Sequence, residues 1–439
     1  MSARRILVLF PDEWDRSMAA RHGGGHEFAF EGFDLFRFPG NARLFTFDVF
    51  RFVERLARRY ARAGLDGIVT SDEQFGPVVA SLLGERLGLP HTPLAAVLAS
   101  QHKYYARRAF ERALPEFNPR FGLLRRDFRR TREMPLAFPF YVKPVKAAFS
   151  VLARRVASFE ELDRHARFSW FEQAIIERLV RPFGEVMRRR SDLDVEPFSL
   201  IAEEVVDGAQ VTVNGFAREG RIAMLGVVDS LMYPGTDQFQ RFQYPSALPD
   251  AWLAGAEDAA RRALAAVGFT HGMFNVELRV CAATGHPKVI EINPRAAGQF
   301  YDLFERVDGY NLFDALIALE SGEEPRIRRR EGRDAVAASF VMRDLAGEGL
   351  GRWPRRGEIG QLRARHPGAR IMFYPKRGAD LRREMKWLGS YRYGVVNLGA
   401  RSAGELFAAY DRIHREVGFH PPSVAGCAAG AALGQATAD

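Results

Sequence analysis

The chain has 439 residues, 47% hydrophobic and 27% charged, with a formal net charge of +9. That length suits two to four compact units, and the composition excludes global disorder, a collagen-like repeat and a coiled coil. The excess of positive charge raises a nucleic-acid partner, but of the 63 basic residues only six are lysine and 57 are arginine, a general preference for arginine and not a phosphate-binding face.

The N-terminus reads MSARRILVLFPDEWD, in which Ile6–Phe10 is an apolar run stopped by Pro11, Asp12 and Glu13, the pattern of a buried strand and not of a leader. No window approaches the ~18 uninterrupted apolar residues of a membrane span. The two cysteines, Cys281 and Cys427, make neither a disulfide framework nor a thiolate metal site, so a reducing cytoplasm is the expected compartment.

Helical spacing over Phe47–Ala63 ends at Gly64, a second strand follows at Gly67–Thr70, and a helix runs from Phe75 to Leu87 before Gly88-Leu89-Pro90. Such alternation predicts an α/β layer with a mostly parallel sheet. Asp72-Glu73 lies where open α/β sheets bind ligands, although a helix N-terminal acid explains it equally well. From Leu94 a helical pattern passes through Lys103 to Leu114, and a strand-like FGLL follows at Phe121–Leu124. The run Arg125–Arg132 reads as a solvated loop, with a phosphate patch as the lesser alternative. Phe140-Tyr141-Val142-Lys143-Pro144 is an apolar strand carrying a lysine, Ser158-Phe159-Glu160-Glu161 is a capping box, and helical periodicity returns through Trp170–Arg190.

The segments Phe198–Val206, Gln210–Ala217 and Ile222–Asp229 are β-rich and separated by Asp207-Gly208 and Glu219-Gly220, both hairpin signals. The aromatic stretch Tyr233–Tyr244 reads equally as packing or as a substrate-side lid. A helix over Ala251–Val267 precedes two strands, Met273–Val280 and Pro287–Ile292. The charged stretch Arg326–Asp334 is a linker candidate, after which strand-like AVAASFVM, RIMFY and YRYGVVNLG lead to a last helix. The Pro, Ala and Gly tail after Phe419 reads as disordered.

Chemistry concentrates near position 280. Alternation puts Glu291 and Asn293 on one face, with Glu277 able to meet them across the ladder. Facing carboxylates repel unless solvated or paired, and oxygen ligands with no His or Cys among them suit Mg²⁺ completed by water and phosphate oxygens. Lysine is scarce enough here that Lys103 and Lys143 stand out as positions needing a compact ammonium. The lone histidines His102 and His271 are assigned no role.

The stretch GFTHGMFNVELRV followed by GHPKVIEINPRAAGQ resembles the metal-binding core of the ATP-grasp superfamily, in particular its carboxylate–amine (amino acid) ligases. FYVKPVKAAFS resembles the second nucleotide lysine with its phosphate loop, and LIAEEVVDGAQVTVNGF the hinge strand, in that family's order. The resemblance implies α/β and α+β architecture in three parts: a Rossmann-like N-terminal domain (1–100), an ATP-grasp body of two subdomains (101–197 and 198–325), and a small C-terminal α/β domain (335–420) with a disordered tail (421–439). It further implies that Lys103 and Lys143 contact ATP phosphates, with Lys146 and Ser150 in the phosphate loop. Glu203 and the backbone at Glu204 and Val206 would meet adenine, and Gln210 the ribose. Glu277, Glu291 and Asn293 would hold Mg²⁺ or Mn²⁺, and Arg295 would stabilise the phosphoryl group and a later oxyanion.

The implied activity is an ATP-dependent ligation of a small-molecule carboxylate to an amine, both expected to be amino acids, through an acyl phosphate with release of ADP and phosphate. The alternative is a carboxylase or carbamoyl-phosphate-type enzyme acting on bicarbonate. Neither nucleic acid nor membrane is an expected partner, and a homodimer is left open. Two departures stand out: Gln210 replaces the usual ribose-binding acid, and the loop after Lys143 is poor in the glycines that let backbone N–H groups close on phosphate.

Overall fold

The protein is described by a computed structural model covering residues 3–22, 25–35, 40–125, 127–146 and 152–423. The N-terminal unit is a three-stranded parallel sheet of β1 (Arg5–Leu9), β2 (Glu27–Glu31) and β3 (Gly67–Val69), in the order β2-β1-β3. The run Ile6–Leu9 is fully buried because the central strand is covered on both faces. Asp48 caps the helix Val49–Ala63 through the Arg51 N–H, and Gly64 ends it with φ 73°. A second helix, Gly76–Leu87, follows β3, so the loop 70–75 lies at the carboxyl ends of the strands.

The second sheet is antiparallel, in the order β4-β7-β5-β6, from β4 (Phe121–Leu124), β5 (Phe140–Pro144), β6 (Arg154–Val156) and β7 (Leu200–Glu204). Phe140, Val142, Val156 and Ala202 on one face pack with Phe128 and Leu162. Alternation therefore turns Tyr141, Lys143 and Glu203 to the other face.

The third sheet has eight antiparallel strands: β8 (Ala209–Arg218), β9 (Arg221–Met232), β10 (Phe239–Tyr244), β11 (Gly272–Val280), β12 (Pro287–Asn293), β13 (Val336–Asp344), β14 (Arg370–Phe373) and β15 (Tyr391–Ala400). Their order is β12-β11-β8-β9-β10-β13-β15-β14. Val211, Val213, Val276, Leu278 and Ile292 bury one face against the helix Asp250–Ala266, whose Ala256, Ala259, Ala260 and Ala263 let it approach closely. The polar residues of the same strands are left on the opposite face.

Four expectations change. The Asp207-Gly208 signal does not make a hairpin: β7 pairs with β4 and β5, whereas β8 pairs with β9 and β11, so the chain crosses between sheets there and the subdomain boundary lies at 205–208 instead of 197. Gly208 has φ 123°, and a Cβ there would overlap the Val280 carbonyl. Residues 335–420, expected as a separate domain, extend the main sheet, because β13 pairs with β10. The aromatic stretch ends in an interior strand whose Phe242 packs on Phe300, which makes it core and not a lid. The single helix from Leu94 to Leu114 is two helices, Leu94–Gln101 and Lys103–Ala113, broken at His102. His102 is extended and buried, its Nε2 bonded to the Val195 carbonyl at 3.0 Å, and burial pushes its pKa down to about 4. The proposed disordered tail falls outside the described residues from 424 onwards. Among the described residues, no helix is long and apolar enough to cross a membrane.

Candidate active site

In the β11–β12 ladder Glu277 stands directly opposite Glu291, and Asn275 opposite Asn293. Their apolar neighbours are buried under the helix Asp250–Ala266, so this polar row points into the cleft between the two antiparallel sheets. Glu277 accepts from Gln210 Nε2 at 3.0 Å and from Asn293 Nδ2 at 3.3 Å. Burial, reinforced by the charges of Glu291 and Glu73, pushes its pKa up to about 8. Burial would raise Glu291 too, but Lys103, with its ammonium 3.1 Å away, and then Lys143 outweigh it, and Glu291 is held below the usual range.

Breaking the helix at His102 places Lys103 at the start of the second helix. Its backbone N–H donates to the Val145 carbonyl at 2.8 Å, which locks the helix to the end of β5. Lys143, buried on β5, pairs with Glu203 at 2.8 Å. Burial lowers its pKa, an effect the Glu203 charge partly offsets. The Arg295 guanidinium, just after β12, donates to Glu73 at 2.7 Å. Three cations expected at phosphate or oxyanion are thus each held by a carboxylate.

Several assignments change in detail. Glu203 does not offer its carboxylate to a base: it is 4% exposed and gripped by Lys143 and by both Nε and Nη2 of Arg107, at 2.8 and 2.9 Å. Its pKa falls to about 2 because Arg107 and Lys143 overcome the opposing penalty of burial. Gln210, expected at ribose, donates instead to Glu277. The Glu204 carboxylate pairs with Arg120 at 2.8 Å and its N–H donates to the Arg120 carbonyl. Lys146 is 2% exposed, and its ammonium lies 3.5 Å from the Glu73 carbonyl and 5.3 Å from the centre of the Phe183 ring. Desolvation and then Lys103 push it down to about 8, and its ammonium supports the Glu73 loop; residues 147–150 that follow it lie outside the described residues. Ser150 lies outside the described residues.

One residue at this site escaped the sequence reading, and another was read there with a structural alternative. Arg107 is fully buried and also donates to the carbonyls of Val289 at 2.5 Å and Ile290 at 2.8 Å, tying β7 to β12 across the cleft. In the sequence it is one arginine among 57 inside a helical pattern. Glu73 comes from the N-terminal unit. The structural reading of that pair holds for Asp72, which accepts the N–H groups of Phe75 and Gly76 at 2.6 and 2.8 Å, but not for Glu73.

Among the described residues no group of three or more His, Cys, Asp or Glu is placed to hold a metal. The set here is two facing carboxylates and an amide, Glu277, Glu291 and Asn293. That set suits a hard divalent cation that keeps part of its shell for water and phosphate, and the charge conflict between Glu277 and Glu291 is one a cation would relieve.

The small antiparallel sheet carries Lys143, the helix beside it carries Lys103, and the larger sheet carries the paired acids Glu277 and Glu291. Residues 136–302 match the family model of the ATP-grasp domain. Chicken (Gallus gallus) carnosine synthase 1 is 30% identical over 294 residues, 62% of this chain, and the chain spans only 29% of the length of that relative. The L-amino acid ligase of Bacillus licheniformis shares the fold with a TM-score of 0.69 at 19% identity, over 96% of this chain and 98% of that one. The carboxyaminoimidazole ribonucleotide synthase of Aspergillus clavatus, complexed with ATP, shares it with a TM-score of 0.65 at 15% identity, over 94% and 98%.

Proposed function

We propose that the protein is an ADP-forming ligase that joins the carboxylate of one small molecule to the amine of another, both of them amino acids. The observation that carries this reading is the convergence of Lys103, Lys143 and Arg295 with the facing pair Glu277 and Glu291 in one cleft. The two relatives named as an amino acid ligase and a carnosine synthase support the substrate class.

A substrate carboxylate oxygen attacks the γ-phosphorus of ATP and ADP departs, leaving an acyl phosphate. The amine then adds to the acyl carbon, phosphate leaves and a proton is lost, which gives the amide. Lys103 and Lys143 neutralise phosphate charge once they exchange Glu291 and Glu203 for phosphate oxygens. Arg295 sits in a largely buried site where a guanidinium stabilises an oxyanion most strongly, and its buried Nε–H has no partner among the described residues. Glu277, Glu291 and Asn293 would hold Mg²⁺ or Mn²⁺, which would supply charge neutralisation on the polyphosphate. Closure must exclude water, since an acyl phosphate hydrolyses.

A screen for phosphate release from Mg-ATP over pairs of amino acids tests the reading. Turnover that needs both an acid and an amine supports it. ADP release driven by bicarbonate alone would transfer the protein to the carboxylase class, and the absence of turnover with every pair would oppose it.

A further inference from the structure

A cavity of about 400 Å³ opens where the edge strand β6 and the segment after it meet the helix Gly378–Leu388. It shares no lining residue with the cleft of Lys103, Glu291 and Arg295. Five cations surround it: Arg154, Arg155, Arg164, Arg167 and Lys386. Leu152 and Phe168 supply an apolar wall.

The charges do not balance locally. Lys386 pairs with Glu172, and Arg167 with Asp163 at 2.5 Å. Among the described residues, Arg154, Arg155 and Arg164 make no ion pair. The one carboxylate in the lining, Glu161, accepts the Ala157 N–H at 2.8 Å. His165 faces the Leu152 carbonyl at 2.9 Å, and burial lowers its pKa, so it adds no charge near neutrality.

An arginine-rich sequence produces basic surfaces without a purpose, and this lobe holds a direct comparison. In the run Arg125–Arg132, Arg125 and Arg130 pair with Asp127, and Arg129 pairs with Asp163. Arg132 of the same run rests over the Phe159 ring at 4.5 Å, whereas among the described residues the three at the cavity have neither an acid nor a ring as partner. Guanidinium forks at the rim of one volume suit phosphate oxygens, and about 400 Å³ lies within the ~300–1,000 Å³ range of small-molecule sites.

We propose that this cavity binds a phosphate group, either as inorganic phosphate or on a small organic body that rests against Phe168 and Leu152. The site would bridge two parts of the chain. Leu152, held at φ 60°, donates its N–H to the Trp387 carbonyl at 3.4 Å, so an occupant would tie the start of the β6 segment to the helix Gly378–Leu388.

The test is calorimetric titration of inorganic phosphate, and separately of glycerol 3-phosphate, into the full chain, the double variant Arg154→Ala/Arg164→Ala and the cleft variant Lys143→Ala. Saturable binding that weakens at least tenfold in the double variant and persists in Lys143→Ala is expected. Tighter binding of the ester assigns the apolar wall to an organic body, and equal binding assigns the site to free phosphate. Should the double variant lose cooperative thermal unfolding, Arg155→Gln, an exposed edge-strand position, carries the same comparison. Binding that survives the cavity variants, vanishes in Lys143→Ala or is absent for both probes overturns the proposal. None of these outcomes depends on ligase activity.

Discussion

Arg295 and Glu73 form an ion pair at 2.7 Å across 222 residues of sequence, each side chain only 12% exposed. The N-terminal unit thereby places an acid in the cleft and orients the cation expected to meet the oxyanion. Gln101 Nε2 at 2.8 Å and the Lys146 ammonium at 3.5 Å both address the Glu73 carbonyl, which fixes the loop carrying that carboxylate.

Glu73→Gln keeps the shape of the side chain and removes the charge that orients Arg295. Turnover is expected to fall about tenfold, less than the ~10²–10³ that follows removal of an oxyanion donor itself, with KM for ATP little changed. Arg295→Lys is expected to be the more severe of the two, because an ammonium cannot reproduce a guanidinium fork. Steady-state kinetics decide it: a raised KM for ATP with unchanged turnover would make the pair a nucleotide-binding device only.

Glu291→Gln is expected to abolish turnover in a folded protein. Glu277→Gln added to it is expected to cost little more, since residues that act as one unit are strongly non-additive. Isothermal titration of Mg²⁺ in the presence of ADP provides a readout independent of activity. Near-normal metal affinity in Glu291→Gln would remove the metal assignment.

Arg107 is a structural prediction in its own right. Arg107→Met leaves Glu203 with one cation and strips the Val289 and Ile290 carbonyls of a donor. The cost is expected to be about 3–5 kcal/mol, as when one partner of a buried ion pair is removed. Denaturant unfolding measures it, and a loss below about 1 kcal/mol would show the network to be soft.

The same network sets an acid limit. Glu203 titrates at about 2 in the folded chain against an ordinary 4.5, so its folded pKa is depressed. Its contribution is complete above about pH 4.5 and is lost as pH falls towards 2. Thermal unfolding across that window is expected to show a decline that is shallower in Glu203→Gln. An equal slope in both proteins would place the acid sensitivity elsewhere.

Much of this cleft can be read from residue order alone, because β11 and β12 obey a period of two. Val276, Leu278 and Ile292 demand burial, so Glu277, Glu291 and Asn293 must face away. The lysines stand out because the chain otherwise uses arginine. Partners set by tertiary placement are not legible in the same way. Nothing local distinguishes Arg107 from its neighbours or Glu73 from a helix-start acid, and Asp207-Gly208 carries the same dipeptide signal whether the chain turns back on itself or crosses to another sheet. The Lys146 ammonium reads as a loop charge until the packing of Phe183 and Glu73 above it is known.

The most direct test of the central claim follows the carboxylate oxygen. With an active substrate pair, the acid substrate labelled with ¹⁸O in its carboxylate is turned over and the released phosphate is analysed by mass spectrometry. Attack of that carboxylate on the γ-phosphorus predicts one ¹⁸O in each inorganic phosphate, together with ADP and the amide in equal amounts. Unlabelled phosphate, or label appearing in AMP with release of pyrophosphate, would contradict acyl-phosphate ligation at this site.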